Sequence, residues 1–284
     1  MNSQADDYDD KSWLRVPLTD PVAVAERYDE WAPSYDDELR AWGYEAPVQA
    51  ARLLVAQLRG RPHVRGQVAL GQEGSEGDVA IGVGVVNVAD IADIADIADI
   101  APVTGAAGGD GVDGVTGADD VLTDGAVFDG AVLDIGCGTG LTGLALQSLG
   151  VSVLDGVDLS EVSLAAARSR GIYRNLQRHN FNESPLPFAD NSYIAAECVG
   201  VLSYAHDPRS LIVDACRVVQ PGGTFVFSQR SDLWAEHNLA EVLDDLRAEG
   251  ILAEATWSEP QPYMPGNADF ADQILVLYAT LTIA

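Results

Sequence analysis

Val132-Leu133-Asp134-Ile135-Gly136-Cys137-Gly138-Thr139-Gly140 is an apolar run that meets three alternating glycines, followed by a helical pattern from Leu141. A short aliphatic run of this kind predicts a buried strand near residues 131–135. Glycine permits a tight turn and close approach of backbone N–H groups to a ligand, and the next helix aims its positive N-terminus at the same place. The stretch also contains Gly138-Thr139-Gly140-Leu141-Thr142-Gly143, which fits the dinucleotide fingerprint, so glycine spacing alone does not choose a cofactor. Asp134 makes the choice. A carboxylate two residues before the first glycine attracts the ammonium of an amino-acid cofactor and repels a nearby pyrophosphate, which favours S-adenosylmethionine over NAD.

Asp158 lies 18 residues beyond Gly140, in Gly156-Val157-Asp158-Leu159-Ser160 at the end of a second β-rich run. A carboxylate there accepts both hydroxyls of a ribose, while Ser160 caps the next helix and leaves Asp158 free for the sugar. Beyond it, β-rich and helical runs alternate, the pattern of βαβ units and a parallel sheet. Strands are predicted near 131–135, 151–157, 173–179, 193–198, 224–228, 251–257 and 273–282, with helices over 141–149, 161–169, 208–219 and 235–249. A Pro- and Gly-containing loop, not a helix, joins the last two strands, so they are expected to close the sheet as an antiparallel hairpin. Asn180-Phe181-Asn182 and the turn-rich 185–193 form the expected adenine wall. Pro221-Gly222-Gly223 reads as a structural chain reversal before the fifth strand.

Toward the amino terminus, Asp20-Pro21 predicts an N-cap and a first helical proline, with Val22, Ala25, Tyr28 and Ala32 following at helical spacing. Tyr28, Trp31 and Tyr35 share one helix face, where they either pack in the core or cover a cofactor. Between this helical extension (1–59) and the α/β domain (129–284) the composition changes. Residues 60–128 hold half of the chain's 28 glycines, no aromatic residue before Phe128, and four copies of Ala-Asp-Ile between Ala89 and Ile100. A period of three fits neither helix nor strand. The span is therefore expected to be a disordered low-complexity insertion, with a small β-rich flap as the alternative.

Charge narrows the partners. The chain has 44 acidic and 16 basic residues for a net charge of −28, and Lys11 is its one lysine. Span 60–128, with 12 acidic and 2 basic residues, supplies −10 of this, which leaves −18 for the rest. Without Lys or Arg clusters to neutralise phosphates, neither nucleic acid nor an anionic membrane is an expected partner. No apolar run reaches the roughly 18 residues of a membrane span. The acidic start also lacks the basic region of a signal peptide, so a soluble cytoplasmic protein is expected. Cys137, Cys198 and Cys216 lie far apart without a CxxC pair, which argues against disulfides and structural zinc; no metal is expected. An acidic, lysine-poor surface suits the proteome of a halophile, where salt screens carboxylate repulsion. The melting temperature should then climb through a KCl series to molar salt, and equal stability at low and multimolar KCl removes that reading.

Asp134 to Gly140, Asp158, Leu186 to Phe188 and Pro221 to Gly223 together resemble the class I S-adenosylmethionine-dependent methyltransferases, over about Ala131 to Ala284. Tyr28 to Asp36, Gly171-Ile172-Tyr173 and Gly200-Val201-Leu202-Ser203 are similar to the Williams-Beuren syndrome region methyltransferase-like group. The resemblance implies an α/β, doubly wound Rossmann-like sheet of seven strands in the order 3-2-1-4-5-7-6. One strand is antiparallel, helices cover both faces, and an N-terminal helical lid closes the site. It implies cofactor contacts from Tyr28, Tyr35, Asp134, Gly136, Cys137, Gly138, Gly140, Asp158, Leu159, Asn180, Phe181 and Cys198. Many relatives carry Asp where Asn180 stands, and those acting on small molecules often carry Glu-His where Ser203-Tyr204 stand. The general base is thus unassigned, with Tyr204 and His206 as candidates, although His206-Asp207-Pro208 also reads as a helix start. Trp234 and Tyr263 follow strand ends near the mouth, either as walls of an acceptor pocket or as an apolar cap. The activity expected is direct, metal-free transfer of methyl from the sulfonium to an unidentified small-molecule nucleophile, driven by alignment. The alternatives are an adenosylmethionine-binding protein without turnover and an NAD-dependent oxidoreductase.

Overall fold

A computed structural model describes Leu14 and residues 20–60, 128–183, 185–267 and 274–284. The low-complexity span anticipated at 60–128 lies, apart from its two end residues, outside these. The strands are β1 (Val132–Ile135), β2 (Leu154–Asp158), β3 (Asn175–Arg178), β4 (Tyr193–Cys198), β5 (Val219–Arg230), β6 (Leu252–Trp257), β7 (Gln261–Pro262) and β8 (Leu275–Ile283). They form one sheet in the order β3-β2-β1-β4-β5-β8-β6, with β7 paired to β8. Neighbours from β3 to β5 pair in parallel, while β8 runs antiparallel to β5, β6 and β7. This is the doubly wound order expected, and the added strand is the two-residue β7, which lies in the loop between the final pair.

The helices are α1 (Pro21–Ala41), α2 (Ala46–Gly60), α3 (Leu141–Ser148), α4 (Glu161–Ser169), α5 (Pro208–Val218), α6 (Ser231–Glu236) and α7 (Leu239–Ala248). α5 and α7 pack on one face of the sheet, where Ile212, Leu243 and Leu246 join Leu133, Phe225 and Phe227. α2 and α3 pack on the other, where Leu54, Leu58 and Leu146 join Val132, Ala195 and Val226. Covered on both sides, β1 is buried along its whole length, which is why it reads as a continuous apolar run rather than an alternating one. Among the described residues no helix is long and apolar enough to cross a membrane.

Several predicted boundaries move, each for a local reason. Strand two begins at Leu154 and not at residue 151, because the Val151 N–H caps α3 by donating to the Leu146 carbonyl (3.0 Å). β3 is confined to Asn175–Arg178, and Tyr173 turns inward instead. Pro221 to Gly223 does not precede β5 but forms an irregularity within it, between the pairs Tyr193–Val219 and Ala195–Thr224. The predicted helix 235–249 is two helices, α6 and α7, broken where Asn238 adopts a left-handed backbone (φ 49°). α1 starts as expected, with the Asp20 carboxylate accepting from the Val22 N–H at 3.0 Å. Val22 itself is exposed, and Trp31 and Leu39 form the buried seam of that helix.

Candidate functional site

In an open α/β sheet the crevice forms where strand order reverses, beyond the carboxyl ends of the strands. Here that point lies between β1 and β4, and a cavity partly open to solvent lies there. The glycine loop is its floor. The Gly136 and Cys137 N–H groups both donate to the Val157 carbonyl (2.7 and 3.1 Å), and the Gly140 N–H donates to Cys137 (2.8 Å), so the loop is folded over the end of β2. Gly136 sits at φ +75°, and a Cβ there would fall 1.9 Å from Cγ2 of Val201. No side chain fits. The loop therefore meets the cavity through the backbone of Gly136 and Gly138, while Cys137 and Gly140 lie outside its lining.

Asp158 faces the cavity from the end of β2. It is not left free, as the sequence suggested. Its Oδ2 accepts from the Gly138 N–H (2.9 Å) and its Oδ1 from the Ser160 N–H (2.8 Å), while Ser160 Oγ caps α4 through the Ser163 N–H (2.9 Å). A carboxylate oxygen has two lone pairs, so each retains acceptor capacity for a ligand hydroxyl. Burial raises the carboxyl's pKa, and nearby Asp29 adds to this, against the lowering effect of the backbone donors. Leu159, Asn180 and Phe181 also line the cavity. Asn180 is oriented locally: its Oδ1 accepts from the Asn182 N–H (3.1 Å) and its Nδ2 donates to Glu183 (3.0 Å).

α1 supplies one wall, with Tyr28, Trp31 and Tyr35 all facing the cavity. Three side-chain bonds hold it to the opposite rim. Thr139 Oγ1 donates to Asp36 at 2.6 Å, the Arg170 guanidinium pairs with the same carboxylate, and Ser160 Oγ donates to Asp29. Facing α1 are Ser203, Tyr204, Arg230, Tyr263 and Met264. The Tyr28 hydroxyl donates to that of Tyr204 at 2.9 Å, with the two rings edge to face. Burial pushes Tyr204 up to about 12, so its phenol remains protonated near neutrality. His206 lies outside the lining, its backbone N–H bonded to Asn182 (2.8 Å). Tyr263 is a wall of the cavity, whereas Trp234 is buried in the core, stacked on Phe227 with centroids 6.0 Å apart.

Asp134 differs most from its expected setting. It is only 1% exposed and lies beneath the loop instead of in the cavity lining, where its Oδ2 accepts from the Tyr173 hydroxyl at 2.7 Å. Burial raises its pKa to about 7; the Tyr173 bond opposes this and Asp158 adds to it. Tyr173 can reach this position because Gly143 of α3 has no side chain: a Cβ there would lie 2.2 Å from the tyrosine oxygen. Glu197, next to Asp134 on β4, is fully buried too and was not singled out from the sequence. The fourth strand's Cys198 lies in the core, away from the cavity. Among the described residues no group of His, Cys, Asp and Glu could hold a metal.

Residues 133–227, which span the loop, Asp158 and β4 to β5, match the family model described as "Methyltransferase domain". The α/β domain is similar to class I methyltransferase domains. Beyond the matched region, the chain is 25% identical to human Methyltransferase-like protein 27 over 227 residues, 79% of this chain and 66% of that protein. It is 34% identical to the ubiquinone biosynthesis O-methyltransferase of Idiomarina loihiensis over 109 residues, 37% of this chain and 44% of that enzyme. The chain thus spans less than two thirds of the length of either relative. Among solved structures, an S-adenosylmethionine-dependent methyltransferase from Mesorhizobium loti superposes with TM-score 0.42 at 20% identity, covering 54% of this chain and 90% of that one. Geranyl diphosphate C-methyltransferase from Streptomyces coelicolor gives 0.44 at 16% identity, covering 57% and 72%. The matched region adjoins the wall that α1 builds, since Asp29 and Asp36 bond to Thr139 of its loop and to Ser160 and Arg170 at the two ends of α4.

Proposed function

We propose that the chain binds S-adenosylmethionine between α1 and the carboxyl ends of β1, β2 and β4, and transfers its methyl group to a small molecule held against the tyrosine-rich wall. Asp158 carries this reading: a carboxylate fixed by two backbone donors, with acceptor capacity left on both oxygens, suits a pair of vicinal hydroxyls. Asp134 beneath the loop adds a negative potential that favours an ammonium and disfavours a pyrophosphate. Tyr28, Tyr35, Gly136, Gly138, Leu159, Asn180 and Phe181 are assigned to the cofactor by their place in the cavity wall. Catalysis is assigned to alignment of the acceptor with the methyl group. With Tyr204 protonated and His206 outside the wall, an acceptor must arrive with a free lone pair, as a neutral amine, thiolate or phenolate does. A small acceptor in place of nucleic acid and a salt-adapted setting are the reading the acidity of the sequence supports.

Calorimetry with adenosylmethionine, adenosylhomocysteine and NAD tests the cofactor. Heat is expected with the first two and none with NAD, and the reverse overturns the assignment. Asp158→Ala, which removes a charged acceptor from two hydroxyls at about 1.5–3 kcal/mol each, should weaken adenosylhomocysteine by about a hundredfold or more. Methyl transfer to components of a cell extract, read by mass spectrometry, tests turnover; an extract that gains no methyl group leaves a binding protein.

A further inference from the structure

Asp134 and Glu197 are register partners across the parallel strands β1 and β4, so their side chains leave the sheet on the same face. Both are buried, at 1% and 0% exposure. Asp134 Oδ1 and both oxygens of Glu197 have no hydrogen-bond partner among the described residues. The titratable groups around them are Tyr173, Cys137 and Cys198, whose pKa values burial and these carboxylates raise, and Asp158. Among the described residues, the one hydrogen bond these carboxylates accept is from the Tyr173 hydroxyl to Asp134. Two buried carboxylates side by side without a compensating cation cannot both be ionised, so the pair retains a proton and titrates as one unit. Burial, and then Asp134, push Glu197 well above the ordinary carboxylate range.

We propose that Asp134 and Glu197 form one proton-sharing acid pair that exchanges a proton for the α-ammonium of the cofactor, with Glu197 a positioning residue that holds Asp134 in its proton-binding state. The inference rests on the cofactor reading above. It supplies the cation that the pair lacks: an ammonium over the loop favours the ionised form of the acid beneath it. The proton leaves to solvent, and binding is then coupled to pH. As Asp134 titrates near 7, affinity should be level above that pH and fall by up to about tenfold per unit below it.

The test is calorimetry of the full chain with adenosylhomocysteine at pH 7 in phosphate and in Tris, two buffers with very different heats of ionisation. The wild type should show a buffer-dependent enthalpy corresponding to release of a fraction of a proton. Glu197→Gln places an amide donor beside Asp134, lowers its pKa and should abolish the buffer dependence at pH 7 while binding stays within a few-fold. Equal wild-type enthalpies in the two buffers, with binding retained, overturn the acid pair and leave the cofactor reading intact. A Glu197→Gln variant that folds by circular dichroism and releases protons as the wild type does overturns the role of Glu197. Absence of binding in either buffer removes the cofactor reading and the acid pair with it.

Discussion

Asp134→Asn is expected to lower affinity for adenosylhomocysteine on the order of a hundredfold and, in the same protein without ligand, to raise the melting temperature at pH 8. The first effect follows from charge. Opposite unit charges a few ångströms apart, at an effective dielectric near 20, contribute about 2–4 kcal/mol. The second follows from burial, because the folded state holds Asp134 near 7, well above the ordinary carboxylate range. A carboxyl whose folded pKa is raised stabilises the fold fully below its unfolded pKa, and this contribution is lost as pH rises through the folded one. The wild type without ligand should therefore lose stability between about pH 4 and pH 7, by an amount on the order of a few kcal/mol. Asparagine keeps the shape, the acceptor for Tyr173 and neutrality, so the variant should lose this slope. Thermal melts from pH 4 to pH 8 with and without adenosylhomocysteine measure both effects. A variant that binds as tightly as the parent, or that melts with the parent's pH slope, contradicts the account of Asp134.

Gly136→Ala is expected to lower the melting temperature by roughly 4–20 °C and to abolish ligand binding. Two costs combine. A left-handed backbone costs a residue with a Cβ about 1–2 kcal/mol, and a methyl group 1.9 Å from Val201 Cγ2 forces either the loop or Val201 to move, for about 1–3 kcal/mol more. At roughly 2–4 °C per kcal/mol for a domain of this size, the sum gives the stated range. The companion change Val201→Ala relieves the contact but not the backbone strain, so Gly136→Ala with Val201→Ala should recover part of the loss. A double variant no more stable than Gly136→Ala alone would show that the clash with Val201 is not what excludes a side chain at residue 136.

The frame of this site was legible because its signals are local and its residue types are constrained. The glycines after β1 and the acid after β2 mark a candidate ligand loop and a candidate sugar acceptor, alternation of β-rich and helical runs indicates a parallel α/β sheet, and the strand order, the two-residue β7 aside, is the one the family resemblance implies. The second layer was hidden. Tyr173 reads as a strand residue on propensity, yet it turns inward because Gly143, far from it in sequence, leaves a space for its hydroxyl. Glu197 interrupts an apolar strand, and that lone acid was the available signal. Asp134 was found by its position but assigned to the cavity surface, since sequence spacing does not show which residues a loop covers. Trp234 could not be told from a pocket residue because aromatic rings line cores and cavities alike.

The wall built by α1 also bears on the tempo of the reaction. Through Asp29 and Asp36 the helix is fastened to Ser160, Thr139 and Arg170, residues of the glycine loop and of the turns that begin and end α4, and its aromatic face closes the chamber. On the proposed cofactor reading a spent nucleoside would leave past that helix, and its residence time would then depend on how long those three fastenings hold. Weakening them should hasten exchange of product for fresh cofactor with little change in the contacts that recognise either one.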